Sequence, residues 1–167
     1  PVELTRAHIE RIEKLDARLN TFITRTFDAA LERARQLEQE NVRAALAAAQ
    51  GGTTPPLRGI PFALKDLYET RGVRTTAGSK FFREHIPERD CAVVEKLNAA
   101  GAIILGKLNL HEIALGVTND NPHFGATHNP WDTACITGGS SGGSGAALAA
   151  ELCIASLGTD TGGSIRI

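Results

Sequence analysis

The chain has 167 residues, of which 42% are hydrophobic and 22% are charged, and its formal net charge at pH 7 is −1. These values are ordinary for a soluble globular protein and supply enough apolar side chains for one domain with a real core. The small net charge excludes an electrostatic case for nucleic acid or an anionic membrane surface as a partner. The longest apolar run, residues 146–157, is broken by Glu151 and is too short to span a bilayer.

The three cysteines predict a reducing environment. Cys91, Cys135 and Cys153 form an odd set with no CxxC spacing and no histidine at ligand distance. We therefore predict buried free thiols rather than disulfides or a metal site, which favours a cytoplasmic location.

The first fifty residues predict a helical segment. Apolar residues recur at helical spacing, with charges between them, over residues 3–19. An alanine-rich stretch over 27–49 predicts a second helix that stops at Gly51 and Gly52. The Thr-Thr-Pro-Pro segment at 53–56 is a connector.

From residue 56 onward, short apolar runs alternate with helical patterns. They predict strands at 59–64, 102–105 and 152–157, and helices at 90–100, 109–115 and 143–151. Residues 118–132 are rich in Asn and Pro and predict a long loop, which is uncommon unless functional. The alternation indicates an α/β fold, a mostly parallel or mixed sheet flanked by helices, with no boundary between two complete domains.

Two glycine-serine clusters, residues 138–145 and 158–164, carry the chemistry. Glycine is used where the backbone approaches something closely or adopts angles that a Cβ forbids. Two such places, each with a serine, predict a backbone-lined pocket with a hydroxyl nucleophile. The P-loop and dinucleotide motifs are both absent, which disfavours a phosphate site.

The nucleophile needs a base, and the order of residues disfavours histidine. Residues 138–142 satisfy GxSxG, but an α/β-hydrolase needs a histidine after the serine, and the last one here, His128, precedes it. Lysine is the known substitute. Only Lys65 and Lys107 follow buried apolar runs, where desolvation can lower the pKa of an ammonium group. Position alone does not choose between these two lysines.

These residues closely resemble the amidase signature family. The resemblance rests on residues 138–144 and 158–166, on the lysine-bearing stretch 59–66, and on 90–106, 106–109 and 129–132. It covers nearly the whole chain and is dense from Pro56 onward. It implies an amidase signature fold in which residues 1–167 are the N-terminal part of a single domain, with a helical segment over 1–50 and an α/β core over 56–167.

The resemblance also implies a Ser-cisSer-Lys triad. Ser164 corresponds to the nucleophile, Ser140 to the bridging serine and Lys65 to the base, which makes Lys107 a structural lysine. Neutral Lys65 would take a proton from Ser140 as Ser140 takes one from the attacking Ser164. A cis peptide bond is expected before Ser140, where Gly139 relieves the crowding.

Further roles follow from the same resemblance. Four backbone N–H groups resemble the oxyanion hole of the family: those of Thr161, Gly162, Gly163 and Ser164. Hydrogen bonds that support the site are expected from Ser141, Ser144, Asp160 and Arg166. Asn109 and the 118–129 loop are expected to shape the pocket. The resemblance implies neither a cofactor nor a metal.

Two functions compete within the family. One is a stand-alone amidase, which converts a carboxamide to a carboxylate and ammonia or an amine through a serine acyl-enzyme. The other is the A subunit of the Glu-tRNA(Gln)/Asp-tRNA(Asn) amidotransferase, which acts as a glutaminase and supplies ammonia to its partner. The sequence Leu-His-Glu-Ile-Ala-Leu-Gly-Val-Thr at 110–118 is nearer to the amidase pattern than to the Met-Asp-Glu-Phe-Ala-Met-Gly-Ser style of the amidotransferase. We therefore favour an amidase.

The partners follow from that choice. A small-molecule amide is expected as substrate, with a homodimer possible for an amidase and partner subunits for an amidotransferase. The third alternative is a non-catalytic interaction module, but retention of all three triad positions argues against it. Members of the family have several hundred residues, and this chain ends at Ile167. We therefore expect the C-terminal part of the domain to be missing, and the 167-residue polypeptide alone to be inactive and poorly folded.

Overall fold

The computed structural model describes residues 1–49 and 53–167. Its helices are α1 (Val2–Leu19), α2 (Phe27–Ala49), α3 (Ala92–Ala99) and α4 (Gly142–Ala149). Its strands are β1 (Phe22–Arg25), β2 (Pro61–Lys65), β3 (Ile103–Leu108) and β4 (Ala155–Leu157), with 3₁₀ turns at Lys80–Phe82 and Glu112–Ala114. The predicted stop of the second helix at Gly51 and Gly52 lies outside the described residues.

The four strands form one mixed sheet in the order β1-β3-β2-β4. Strand β2 is parallel to both β3 and β4, whereas β1 is antiparallel to β3. The predicted α/β fold is confirmed. The parallel register places Lys65 opposite Leu108, so β2 and β3 end at the same edge of the sheet. Ligand sites in such sheets lie beyond the carboxyl ends of the strands.

Helices cover both faces of this sheet. Side chains alternate along a strand, and on β2 the alternation divides the core in two. Ala63 packs in a cluster with α1, α2 and residues at the end of α4. Phe62 and Leu64 pack on the other face, against Val94 and Leu97 of α3. Burial on both faces explains why β2 appears in the sequence as a continuous apolar run.

Several boundaries differ from those predicted. The four-residue strand β1 was not predicted, because Phe-Ile-Thr-Arg lies between two long helices and is too short to show a period. Its pairing extends β3 beyond the predicted end at residue 105, since Arg25 lies opposite Gly106 and Phe22 opposite Leu108. A Cβ at Gly106 would lie 2.3 Å from the carbonyl oxygen of Thr24, so this close pairing requires glycine.

Two predicted elements are shorter than expected. The helix predicted at 109–115 is only the 3₁₀ turn at Glu112–Ala114. Asn109 Oδ1 accepts the N–H of Leu110 at 2.8 Å, and such a local bond competes with helix formation. The strand predicted from residue 152 begins at Ala155.

The thiols depart in part from the prediction. All three cysteines are free, but only Cys153 is buried, Cys91 is half-buried and Cys135 is exposed. Cys135 lies in the long loop, where Asp132 rather than an apolar core is its neighbour. Among the helices of the described residues, none has the length and apolarity needed to cross a membrane.

Candidate active site

Three segments bring the predicted catalytic residues to one edge of the sheet. Lys65 is the last residue of β2, and Ser140 lies in the turn before α4. The second cluster, 158–164, follows directly after β4. Because β4 is the parallel neighbour of β2, its carboxyl end delivers this cluster beside Lys65.

Lys65 is fully buried and surrounded by hydroxyl groups. Its Nζ donates to Ser140 Oγ at 2.7 Å, to Ser141 Oγ at 2.9 Å and to Thr159 Oγ1 at 2.8 Å. Burial lowers the pKa of Lys65 from its ordinary value of 10.5 to about 8, while the charge of Asp160 opposes this shift. A lysine in this state has a neutral fraction near pH 7 and can accept a proton.

The peptide bond between Gly139 and Ser140 is cis, which confirms the prediction made for this position. The segment is held from two sides. The carbonyl oxygen of Ser140 accepts the N–H of His111 at 3.2 Å. A Cβ at Gly139 would lie 3.0 Å from the backbone nitrogen of Asn119, so the loop packs tightly against this glycine.

Ser164 lies next to this group but is not yet connected to it through its hydroxyl. Its carbonyl oxygen accepts the N–H of Ser141 at 3.0 Å, which ties the two glycine-serine clusters together. No hydrogen bond among the described residues reaches Ser164 Oγ. The structure therefore brings the three predicted catalytic residues together and contains the Lys65–Ser140 hydrogen bond, but within the described parts of the chain it has no hydrogen bond from Ser140 to Ser164.

The predicted oxyanion donors are not all available. The N–H of Gly163 donates to Asp160 Oδ1 at 2.7 Å and is therefore occupied. The N–H groups of Thr161, Gly162 and Ser164 have no hydrogen-bond partner within residues 1–49 and 53–167. In this arrangement the predicted set of four donors is reduced to three, because the carboxylate of Asp160 competes for the fourth.

Asp160 and Arg166 close the loop that carries Ser164. The guanidinium of Arg166 contacts both carboxylate oxygens of Asp160, at 2.9 Å and 3.2 Å. This contact holds the pKa of Asp160 well below its usual range and raises the pKa of Arg166. Asp160 also accepts the N–H of Ile165 at 3.3 Å. One carboxylate therefore orders the segments on both sides of Ser164.

The two supporting serines have different contacts. Ser141 Oγ receives Lys65 and the N–H of Thr159 and itself donates to the carbonyl oxygen of Thr159 at 3.0 Å. Ser144 contacts neither Lys65 nor Ser164 through a hydrogen bond. Its hydroxyl donates to the carbonyl oxygen of Leu157 at 3.1 Å, which joins α4 to the end of β4.

Asparagine side chains hold the long loop in place. Asn119 Oδ1 accepts the N–H of Gly142 at 3.2 Å and so connects the loop to the start of α4. Asn109 donates to the carbonyl oxygen of Gly125 at 3.0 Å, and Asn121 donates to that of Leu110 at 2.8 Å. The loop therefore supports the Ser140 turn from behind.

Two residues of the site were not predicted. Thr159 contacts Lys65 directly, and the only signal for it was its place between Gly158 and Asp160 in the second cluster. Tyr68 donates its hydroxyl to the carbonyl oxygen of Gly158 at 2.7 Å. Nothing in the sequence connects residue 68 with residue 158, because this contact depends on the pairing of β2 with β4.

A buried lysine with a lowered pKa, bonded to a serine that follows a cis peptide and lying beside a second serine in a glycine-rich turn, is the arrangement of a serine–lysine hydrolase site. The comparisons with known proteins agree with that class. The chain matches the model of the Amidase family over residues 3–167, and it belongs to this family.

Individual relatives extend over much more sequence than this chain. The glutaminase component of the Methylococcus capsulatus glutamyl-tRNA(Gln) amidotransferase, its A subunit, is 51% identical over 165 residues, which are 99% of this chain and 32% of that protein. The chain therefore spans about a third of the length of this curated relative.

Solved structures show the same proportion. An s-triazine catabolic enzyme, solved in a vestigial protein complex, matches with a TM-score of 0.87 and 41% identity over 98% of this chain and 34% of its own. A crystallised amidase matches with a TM-score of 0.86 and 40% identity over 100% of this chain and 36% of its own.

Proposed function

We propose that the protein containing this chain hydrolyses amides through a serine acyl-enzyme, with Ser164 as nucleophile, Ser140 as bridging serine and Lys65 as base. The observation that carries the proposal is the contact of Lys65 Nζ with Ser140 Oγ at 2.7 Å, made by a buried lysine whose pKa is about 8. The same contact in an exposed lysine would hold a permanent cation and would not provide a base.

The proposed reaction moves one proton along two serines. Neutral Lys65 takes the proton of Ser140, which takes that of Ser164 as the oxygen of Ser164 forms a bond to the amide carbon. The carbon–nitrogen bond then breaks, and the proton returns along the same path to the leaving nitrogen. Water attacks the acyl-enzyme and releases the carboxylate. Rotation of the Ser164 side chain toward Ser140 breaks no hydrogen bond, because its hydroxyl has none in the described structure.

The N–H groups of Thr161, Gly162 and Ser164 are the proposed donors to the developing oxyanion. They are unoccupied within the described residues, and they belong to the same turn as the nucleophile. Loss of one such donor in other enzymes costs about 3–4 kcal/mol of transition-state stabilisation. Gly163 would join them only if its N–H were released from Asp160.

The experiment is an assay of the intact natural protein on a panel of simple carboxamides, with release of ammonia as the readout. We expect Ser164→Ala to abolish hydrolysis, and a fluorophosphonate to label Ser164. Ser79→Ala is the matched control, because Ser79 bonds to Glu112 and does not contact Lys65. A protein that is neither labelled nor active would favour a non-catalytic interaction module instead.

A second candidate is the amidotransferase A subunit, favoured by the name of the curated relative at 51% identity. In that case the same site would act as a glutaminase, and partner subunits would receive the ammonia. Glutamine hydrolysis that rises only when partner subunits and ATP are present would establish this alternative over a stand-alone amidase.

Three further expectations belong with these proposals. Residues 1–167 are proposed to be the N-terminal part of a single amidase domain. The location is proposed to be cytoplasmic. We also expect the isolated 167-residue chain to be inactive, and amide hydrolysis by that purified chain, abolished by Ser164→Ala, would contradict this.

A further inference from the structure

Ser164 lies between two depressions of the surface that differ in their walls. One is lined on one side by helix α4, with Ser144 and Gly145, and includes Ser156. The other is bounded by residues 114–117 on one side and by Thr161 and Gly162 on the other. The second depression contains two of the unoccupied N–H donors, so the carbonyl group of an amide bound there would have an adjacent group against residues 114–117.

That wall presents apolar side chains to solvent. Leu115 is 75% exposed and Val117 is 54% exposed. Large apolar side chains exposed beside a reactive serine indicate a surface that a ligand covers. The remaining wall residues, Ala114 and Gly116, are also uncharged and small.

The wall is firmly anchored to the rest of the molecule. Gly116 packs against the ring of His111, where a Cβ would lie 2.2 Å from Nε2. Glu112, in the turn before the wall, accepts the hydroxyl of Ser79 at 2.8 Å and contacts His123 Nε2 at 2.9 Å. Ile113 has a φ of 46°, an uncommon backbone conformation for a β-branched residue that only a well-determined segment maintains.

The charged side chains near this depression are already paired within the described residues. Asp160 is bound to Arg166, and Glu112 is bound to His123. A substrate with an ammonium and a carboxylate beside its amide would find no opposite charge on this wall, and it would lose hydration there.

We propose that residues 114–117 form a specificity wall for an uncharged, apolar group next to the scissile amide. This inference rests on the proposed function, and it deepens it by naming the substrate class: a neutral carboxamide with an aliphatic or aromatic substituent. Leu115 and Val117 are the residues that select it. The wall contacts one flank of the amide, either the acyl group or the amine substituent.

The test measures kcat/KM of the intact protein on two matched pairs of amides. In the acyl pair, isocaproamide is compared with glutamine, which has the same skeleton but carries an ammonium and a carboxylate in place of two methyl groups. In the amine pair, N-isobutylacetamide is compared with N-acetyl-β-alanine. We expect a preference of about tenfold or more for the apolar member of at least one pair.

The variants Leu115→Asn and Val117→Thr keep the branched shape of the side chain and introduce polarity. Each is expected to lower that preference by about tenfold. Ile86→Ser is the matched control, since Ile86 is exposed but lies outside the wall, and its preference should equal that of the wild type. The two wall variants are independent, so misfolding of one leaves the other to decide.

The outcomes separate this inference from the function on which it rests. Equal or faster hydrolysis of glutamine, or preferences that neither wall variant changes, would overturn the specificity wall while leaving amide hydrolysis intact. Absence of hydrolysis of every amide, together with no labelling of Ser164, would overturn both. Loss of the apolar preference in one pair alone supports the wall and identifies the flank that it contacts.

Discussion

The two buried lysines of the sheet occupy nearly equivalent places but have opposite surroundings. Lys65 ends β2 and Lys107 lies near the end of the adjacent strand β3, and both side chains are fully buried. Lys65 contacts three hydroxyl groups. Lys107 donates to the carbonyl oxygen of Tyr68 and to Thr75 Oγ1, both at 2.6 Å, and lies 3.3 Å from Asp66 Oδ1.

The difference lies in whether a carboxylate is within reach. Burial lowers the pKa of both lysines, but for Lys107 the adjacent charge of Asp66 opposes the shift directly. Asp66 in turn accepts the N–H of Thr76 at 2.8 Å, so the pair is fixed on both sides. Hydroxyl groups satisfy an ammonium without stabilising its charge as a carboxylate does. Lys65 can therefore release its proton, whereas Lys107 is a structural ion pair.

The largest effect on activity is expected for Lys65→Met in the intact protein. Loss of the base should lower kcat/KM for any amide substrate by about 10³-fold or more, since general base catalysis contributes about 10²–10⁴-fold. Folding should be retained, because a buried ammonium is replaced by an apolar side chain of similar length. Amide hydrolysis and a denaturation curve measure the two quantities. Activity within tenfold of the wild type would mean that the comparison has assigned the wrong lysine.

The reverse is expected for Lys107→Met. This change leaves Asp66 buried without its ion pair, which typically costs about 3–5 kcal/mol of the free energy of unfolding. Chemical denaturation of the intact protein measures the loss. The double variant Asp66→Asn with Lys107→Met is the control, and it should recover a large part of the stability because no unpaired charge remains. A stable single variant would show that the ion pair is dispensable.

The sequence predicted the existence of both lysines but not their difference. Each follows a buried apolar run, and only the family resemblance selected Lys65. The partner of Lys107 is Asp66, which is adjacent in sequence to Lys65, so sequence proximity would have suggested the wrong pair. The glycine-serine clusters were recognisable because glycine has a local cause. The contacts of Thr159 and Tyr68 were not, because they depend on strand order and register.

An intermediate effect is expected from pH. Only neutral Lys65 is a base, so kcat/KM should rise with pH through about 8 and level off above it, a gain of about tenfold from pH 7. The pH dependence of kcat/KM reports the pKa of the free enzyme. A profile that is flat between pH 6 and pH 9 would contradict a base with this pKa.

The same shift predicts a pH dependence of stability. The pKa of Lys65 is about 8 in the folded protein and near 10.5 in the unfolded chain, so the unfolded state binds more protons between these values. The free energy of unfolding therefore gains from this residue as pH rises from 8 to 10.5, and the contribution is lost below pH 8. Denaturation at several pH values, compared with Lys65→Met, isolates it, since the variant lacks this contribution.

The smallest effect is expected for Thr159→Val, which removes one of the three hydroxyl partners of Lys65 while keeping the shape of the side chain. Fewer acceptors stabilise the ammonium less, so the pKa of Lys65 should fall and the midpoint of the kcat/KM profile should move to lower pH by less than about one pH unit. The plateau should fall only a few-fold, because Ser140 and Ser141 still hold Nζ. Thr159→Ser keeps the hydroxyl and should restore the midpoint of the wild type. A lower plateau with an unchanged midpoint would assign Thr159 to packing instead, because a purely structural role changes the rate without changing the charge equilibrium of the lysine.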